Sequence, residues 1–380
     1  MNFNYTEEQL MLKDSVKKFS ENEIAPLVKQ METEKRTPRD LIKKIKDLGW
    51  CGIQYPEKYG GSGNTYVEYA IMQIEMSRVY CSTACTISVN GMLGANIMKF
   101  ATEEQKLKFL PEHLNGEGIG SFAFTEPSTG SDPGALRTTC VRDGDEWVIN
   151  GEKNFITNAS MPGLMGIFCK DAEMGPGKCT NIIIPKGIKG YSTPRIYDKM
   201  GMHGLEVCDV VLDNVRVPYE NTTGGEAMRG KGFQVLLGST QIGKLSVCAQ
   251  AVGMAQAALE AAVKYSKERV QRGKPIANFP TIQSLIGDMA TDVMVGHQIV
   301  LATAFKASEG KELAADAART RLFTSEACHR VASKAMQVMG AYSYTTEFPI
   351  ERIFRDAKLT EIYEGVNEIQ RLIASTDLLR

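Results

Sequence analysis

The chain has 380 residues, 43 % hydrophobic and 23 % charged, with a formal net charge of −1. That length suits two or three domains or one compound core, and the composition is that of an ordinary globular protein. The near-neutral balance argues against nucleic acid or an anionic membrane surface as the main partner.

Nine cysteines occur, none in a Cys-x-x-Cys pair, with only four scattered histidines. No zinc site is expected from that spacing, and free thiols in a reducing cytoplasm are. The opening "MNFNYTEEQL" lacks the basic and apolar regions of a signal peptide, and no apolar run is expected to span a bilayer.

Residues 1–118 read as a helical domain. Thr6-x-x-Gln9 and Thr102-x-x-Gln105 are capping-box patterns, and Thr37-Pro38 puts proline at a first helical turn. Leu12, Val16 and Phe19 follow one helical face. "YPEKYGGSG" at 55–63 is a loop by its glycines and proline. Residues 119–228 read as a β domain. Asp143-Gly144 and Asn150-Gly151 are turn signals flanking the alternating segment 146–149, a hairpin pattern. "NIIIPKG" at 181–187 and "CDVVLDNVRVP" at 208–218 are further strand candidates. Residues 229–380 return to helix, with segments 234–271, 280–309 and 312–340 rich in Ala, Leu, Met and Val; a bundle of four long helices would bury them.

Three stretches carry candidate chemistry. "FAFTEPSTGSDPGAL" at 122–136 combines hydroxyls, two phenylalanines and two glycines, which suits a flat heterocycle with a phosphate and suits a polar loop leaving a strand equally well. "NFITNAS" at 154–160 has the same character, or is a strand end. "KERVQRGKPI" at 267–276 reads as a solvated helix C-terminus or, more sharply, a phosphate contact. Near the end, "TEIYEGVNEIQR" sets Glu361, Glu364 and Glu368 around one glycine, among isoleucines and a tyrosine. A buried carboxylate is costly unless paired or chemically useful, so one of the three should have a task.

The order of these motifs resembles the acyl-CoA dehydrogenase family. "TEPSTGSD" is similar to its first signature, and "QVMGAYSYTTEFPIERIFRDAK" at 337–358 to its second. "IYEGVNEIQR" resembles the segment that carries the catalytic glutamate in short-chain, medium-chain and butyryl members. The resemblance spans the chain. It implies an α+β fold with an N-terminal helical domain, a middle β-barrel domain and a C-terminal four-helix bundle. It further implies FAD as cofactor, an acyl-CoA substrate of short, branched or cyclic type, an electron-transferring flavoprotein as redox partner, and a homotetramer with flavin sites at subunit contacts. No metal, nucleic acid or membrane is expected.

By motif match, Glu364 would be the base that removes the Cα proton, with its backbone N–H on the thioester carbonyl and Gly365 allowing close approach. Long-chain and isovaleryl members place their base on the helix matching 239–247, where this chain has Gly243. Phe122, Phe124 and Thr125 would line the isoalloxazine, Gly130 and Ser131 would border flavin and thioester, and Phe155, Ile156 and Thr157 would cover the ring. Arg269 and Gln271, with Gln337, Gly340 and Ala341, would hold the pyrophosphate and adenosine end from a neighbouring subunit. Val366 and Glu368 would lie near the flavin, and Gln241 and Lys244 would touch CoA.

Departures from the family pattern cluster on the adenosine side: Arg272, Pro280, Ala341, Ser343 and Val366. They leave three readings: a working dehydrogenase; a homologue with altered redox chemistry or a carrier-protein thioester; and a non-catalytic binding subunit.

Overall fold

The computed structural model describes residues 4–379. Five helices come first: α1 (Glu7–Phe19), α2 (Val28–Glu34), α3 (Arg39–Asp47), α4 (Tyr66–Phe100) and α5 (Glu103–Asn115). Both expected capping boxes form; Gln9 N–H donates to Thr6 Oγ1 at 3.2 Å, and Thr6 N–H to Gln9 Oε1 at 3.1 Å. A third, Thr65 with Glu68, starts α4. Pro38 is the N-cap of α3 rather than a first-turn residue. Val16 is buried, and Leu12 and Phe19 pack beside it against Ile24, Met31, Ile45 and Trp50.

The middle region is one seven-stranded sheet: β1 (Ser121–Ala123), β2 (Thr139–Asp143), β3 (Glu146–Thr157), β4 (Leu164–Asp171), β5 (Cys179–Pro185), β6 (Tyr191–Ser192) and β7 (Val207–Pro218). β2 and β3 form the expected hairpin about Gly144. The second expected turn does not form. Asn150-Gly151 lies inside β3, where the register against β7 shifts between Ile149 and Gly151. Trp147, Ile149, Ile167, Ile182 and Val210 fill the core of the sheet.

The chain then forms α6 (Gly232–Glu268), a small hairpin β8 (Val270–Gln271) and β9 (Lys274–Pro275), then α7 (Pro280–Ser308), α8 (Ala314–Met339), α9 (Ile350–Leu359) and α10 (Asn367–Ala374). Only α6, α7 and α8 are long. The fourth long helix is α4, whose Ala70 and Ile74 share a core with Leu245 and Val252 of α6, Ala304 of α7 and Ala317 of α8.

The sequence expectation about bilayer-length segments needs correction. By length and composition α6 qualifies, but 67 % of its most apolar window is buried inside the protein. Its apolar surface is consumed by α4, α7 and α8, as expected of a helix that is hydrophobic all round. All nine cysteines are free and buried.

Candidate active site

The turn after α9 brings residues from three helices to one point. Glu364 has φ +56° and Gly365 φ +89°, so two successive residues take left-handed backbone. Glycine does this freely; a glutamate does so rarely, and such residues concentrate at functional sites. The turn is held from both sides. Arg321 of α8 donates to the carbonyl of Glu364 at 2.7 Å, to that of Thr360 at 3.1 Å, and to that of Tyr363. Tyr363 Oη donates to Gln250 Oε1 of α6 at 2.6 Å, and Gln250 in turn donates to Gln73 Oε1 of α4 at 3.0 Å. The backbone N–H of Glu364 makes no hydrogen bond among the described residues.

The carboxylate of Glu364 points at Gly243 of α6. A Cβ at Gly243 would lie 2.9 Å from Glu364 Oε2 and 2.9 Å from Met92 Sδ of α4. The missing side chain is therefore what makes room for the carboxylate. Burial pushes the Glu364 pKa above the usual carboxylate range, and the nearby Arg321 and Lys244 offset only part of it.

The other two glutamates differ. Burial also disfavours ionised Glu361, but hydrogen bonds from Lys358 at 2.6 Å and His329 at 3.1 Å win, and its pKa is lowered. Glu368 is exposed and faces Arg371 at 3.8 Å. Between Glu361 and Glu364, it is Glu364 whose surroundings make it a stronger base.

Next to this point stands an aromatic wall. Met92 packs with Val89 and Phe122, linking the Glu364 turn to β1. Phe122 and Phe124 lie edge-on to Phe168 at 5.0 and 5.8 Å. The N–H of Asn154 donates to Thr125 O at 2.9 Å, which sets Phe155 beside Thr125. A β-bulge between Lys153 and Ile156 puts Phe155 at φ +58°; its ring is 61 % exposed and stacks on Tyr197 at 4.4 Å. Bulges re-aim side chains in this way at the rims of sites. Ile156 is buried in the sheet core, so only its main chain is available to a ligand, while Thr157 is half-buried.

Gly130 and Ser131 lie on the exposed part of the 125–137 loop, with open space above Gly130. Thr129 Oγ1 and Asn154 Oδ1 are buried there without a partner among the described residues. An exposed ring, an open glycine and orphaned polar atoms fit a planar heterocycle with a hydrogen-bonding edge, the chemistry of a flavin.

Sequence reading passed over Glu126. It accepts from Lys153 Nζ at 2.7 Å, Arg137 N at 2.6 Å and Thr138 N at 3.0 Å, bracing both ends of this loop. Lys153 is fully buried. The only signal was a lysine in an otherwise core-directed strand.

The residues expected on the adenosine side form a separate, exposed surface. α6 ends at Glu268, three residues before the expected stop, because β8 and β9 turn back through Arg272 (φ +50°) and Gly273 (φ +76°). The expected helix C-terminus at 267–276 is thus mostly a tight hairpin of the primed type. Arg269 lies 5.9 Å from the Tyr342 ring, and Gln271, Gln337, Gly340 and Ala341 are exposed around them. Ser343 turns inward and donates to Gly340 O at 2.7 Å. Gln337 stands 16 residues along α8 from Arg321, roughly 24 Å along the axis. This surface therefore does not belong to the Glu364 pocket of the same chain.

Elsewhere, Pro280 is the first residue of α7, Val366 is the N-cap of α10 without a side-chain acceptor, and Glu368 is on the surface. Gln241 donates to Glu312 at 3.3 Å, whereas Lys244, one turn on, is 7 % exposed beside Glu364.

Three family models cover the chain: the acyl-CoA dehydrogenase N-terminal domain at residues 6–117, the middle domain at 121–215 and the C-terminal domain at 230–379. The chain belongs to the acyl-CoA dehydrogenase family. It is 39 % identical to the probable acyl-CoA dehydrogenase YngJ of Bacillus subtilis, over the full length of both chains. Among solved structures it matches butyryl-CoA dehydrogenase from Megasphaera elsdenii with TM-score 0.95 and 36 % identity, each chain fully covered. A chain from a structure described as the electron transferring flavoprotein of Acidaminococcus fermentans matches with TM-score 0.96 and 38 % identity, again over both full lengths. Members of this family are flavin-dependent oxidoreductases that dehydrogenate acyl-CoA thioesters or reduce the unsaturated products.

Proposed function

We propose that this chain removes hydrogen across the Cα–Cβ bond of a short, branched or cyclic acyl-CoA, or adds it in reverse, with Glu364 as the Cα base. The observation that carries this is the placement of Glu364: a carboxylate of raised pKa, aimed into the space left by Gly243, beside an unpaired backbone N–H.

The chain's own residues would act as follows. The thioester carbonyl accepts from the free N–H of Glu364, which stabilises negative charge as the Cα–H bond weakens. Glu364 takes that proton; the electron pair left on Cα forms the new C=C bond as hydride leaves Cβ. Burial makes Glu364 a stronger base than a solvated carboxylate. Met92 and Cys85 supply weakly polar sulfur side chains on the α4 side of the carboxylate. FAD, when bound, supplies the two-electron acceptor. Phe122, Phe124, Thr125, Ser131 and Phe155 would hold its ring system. Its adenosine diphosphate half would be met by Arg269, Gln271, Gln337, Gly340 and Ala341 of a neighbouring copy, which makes the chain a homo-oligomer, a tetramer by family precedent. An electron-transferring flavoprotein would exchange the electrons, in the cytoplasm.

The test is exchange of the Cα hydrogens of butyryl-CoA with deuterated water. General-base catalysis contributes about 10²–10⁴-fold, so Glu364→Gln should lose that much. Glu361→Gln should keep near-normal exchange. The reverse pattern would overturn the assignment. Bleaching of the visible flavin band by the same substrate checks the redox half independently.

A further inference from the structure

Arg321 is a buried cation without a carboxylate bound to it. It is 0 % exposed. Among the described residues it forms no salt bridge, and its Nε has no partner. Burying an unpaired charge is expensive, and carbonyl dipoles alone are a weak reason to keep one. All three hydrogen bonds of its guanidinium go to one short segment, the carbonyls of Thr360, Tyr363 and Glu364. Thr360 is the C-cap of α9, where helix carbonyls lack partners and a cation is favoured. The same segment contains the left-handed Glu364.

We propose that Arg321 is the positioning residue of the active site: its guanidinium fixes the left-handed turn, and with it both the aim of the Glu364 carboxylate and the direction of the free Glu364 N–H. The inference rests on Glu364 being the base. A planar fork can hold three carbonyls from donors spread over a fixed plane, whereas an ammonium gathers three around one point, as Lys46 does with the carbonyls of His113, Gly116 and Gly118.

The charge has a second effect. Facing the Glu364 carboxylate are Arg321 from α8, Lys244 from α6, Cys85 and Met92 from α4, and Tyr363 from its own turn. Burial raises the Glu364 pKa; Arg321 is the larger of the two cationic influences that hold it down, and Lys244 the smaller. Lys244 is itself weakened as a cation, by burial first and by Arg321 second. Neutralising Arg321 therefore moves Glu364 to a higher pKa directly, with a smaller opposing response from Lys244.

The experiment compares Arg321→Gln and Arg321→Lys with Glu364→Gln. It reads Cα-hydrogen exchange as a function of pH and substrate, and amide hydrogen exchange at residues 360–366. In Arg321→Gln, kcat should fall tenfold or more with KM changed less than threefold. The acid limb of the rate profile should move to higher pH, and the 360–366 amides should lose protection. Arg321→Lys should return the limb to its original pH while recovering only part of kcat. A merely structural role would lower thermal stability and active fraction yet leave the limb in place, and that result overturns the inference. If Arg321→Gln does not fold, Arg321→Lys decides: unreduced kcat refutes the proposal, and a fall in kcat at constant KM supports it. Retained exchange in Glu364→Gln would remove the base assignment and this inference together. Lost exchange there with an unmoved limb in Arg321→Gln would remove the inference alone.

Discussion

The turn at 359–366 and the surface made by residues 269–274 with Gly340–Tyr344 hold the residues that the family motifs single out, and they are built in opposite ways. The turn is exposed at Ile362 and Gly365 but anchored inward: a buried arginine, a tyrosine bonded to α6 and a glycine on α6 enclose one carboxylate. The surface is open: Arg269, Gln271, Arg272, Ala341 and Tyr342 are all exposed, with Arg269 near the Tyr342 ring and that ring packed on Tyr265 and Phe348. Enclosure sets a pKa and an angle within one chain. Exposure leaves charge and rings waiting for something outside it. The first region should therefore answer to substitutions of one atom, and the second to protein concentration.

The largest test of that contrast is Gly243→Ala. Both neighbours that would be crowded are ends of flexible side chains, and helix propensity favours alanine by roughly 0.5–1 kcal/mol. Melting should change little. Cα-hydrogen exchange should nevertheless fall on the order of 100-fold, because a displacement of about 1 Å can cost that much. Normal exchange would show that the enclosure is looser than described.

Arg269→Ala probes the open surface. A hydrogen bond to a charged group is worth roughly 1.5–3 kcal/mol, so FAD retention on dialysis should weaken about tenfold or more. The loss should deepen on dilution, as light scattering reports dissociation. Unchanged retention at every concentration would sever this surface from the cofactor.

A third prediction concerns pH. The raised pKa of Glu364 means that the folded state holds this proton more tightly than the unfolded chain. Ionised Glu364 therefore opposes folding above its folded-state pKa, and the penalty disappears below the ordinary carboxylate range. Glu364→Gln should melt higher than the natural protein near pH 8 and no higher near pH 4. Equal melting at both would mean that the carboxylate is solvated.

The smallest effect is expected at Val366→Thr. Val366 caps α10 with no side-chain acceptor, and supplying one is worth about 0.5–1 kcal/mol. Melting temperature should rise slightly, and tighter FAD retention would show a second contact for the new hydroxyl.

Local rules carried much of the fold in the sequence. The capping boxes at Thr6 and Thr102 and the strands at 181–187 and 208–218 were visible because their causes lie within a few residues. Errors came where a signal has two structural outcomes. Asn-Gly marks a turn in an isolated ribbon, but at Asn150 the β7 partner continues past it and a bulge absorbs the glycine. Val270 to Lys274 reads as a fraying helix end until Gly273 folds it back. At the site, Glu364 could be singled out by motif, and the enclosing residues could not. Arg321 acts on carbonyls 39 to 43 residues away, which carry no side-chain identity to read. The partnership of Lys153 with Glu126 likewise exists only once the strands are assembled.

The buried thiols have a practical consequence. Cys51, Cys81 and Cys85 lie in the first helical region, Cys140, Cys169, Cys179 and Cys208 in the sheet, and Cys248 and Cys328 in the last helices, each at most 2 % exposed. A thiol shielded in apolar surroundings is inaccessible, so alkylating reagents should meet a silent native protein. Reaction then requires opening, and opening differs from region to region. Digesting the chain after timed alkylation would recover a stopwatch for each region from one sample. The order in which the nine sites become labelled would show which part of the molecule gives way first.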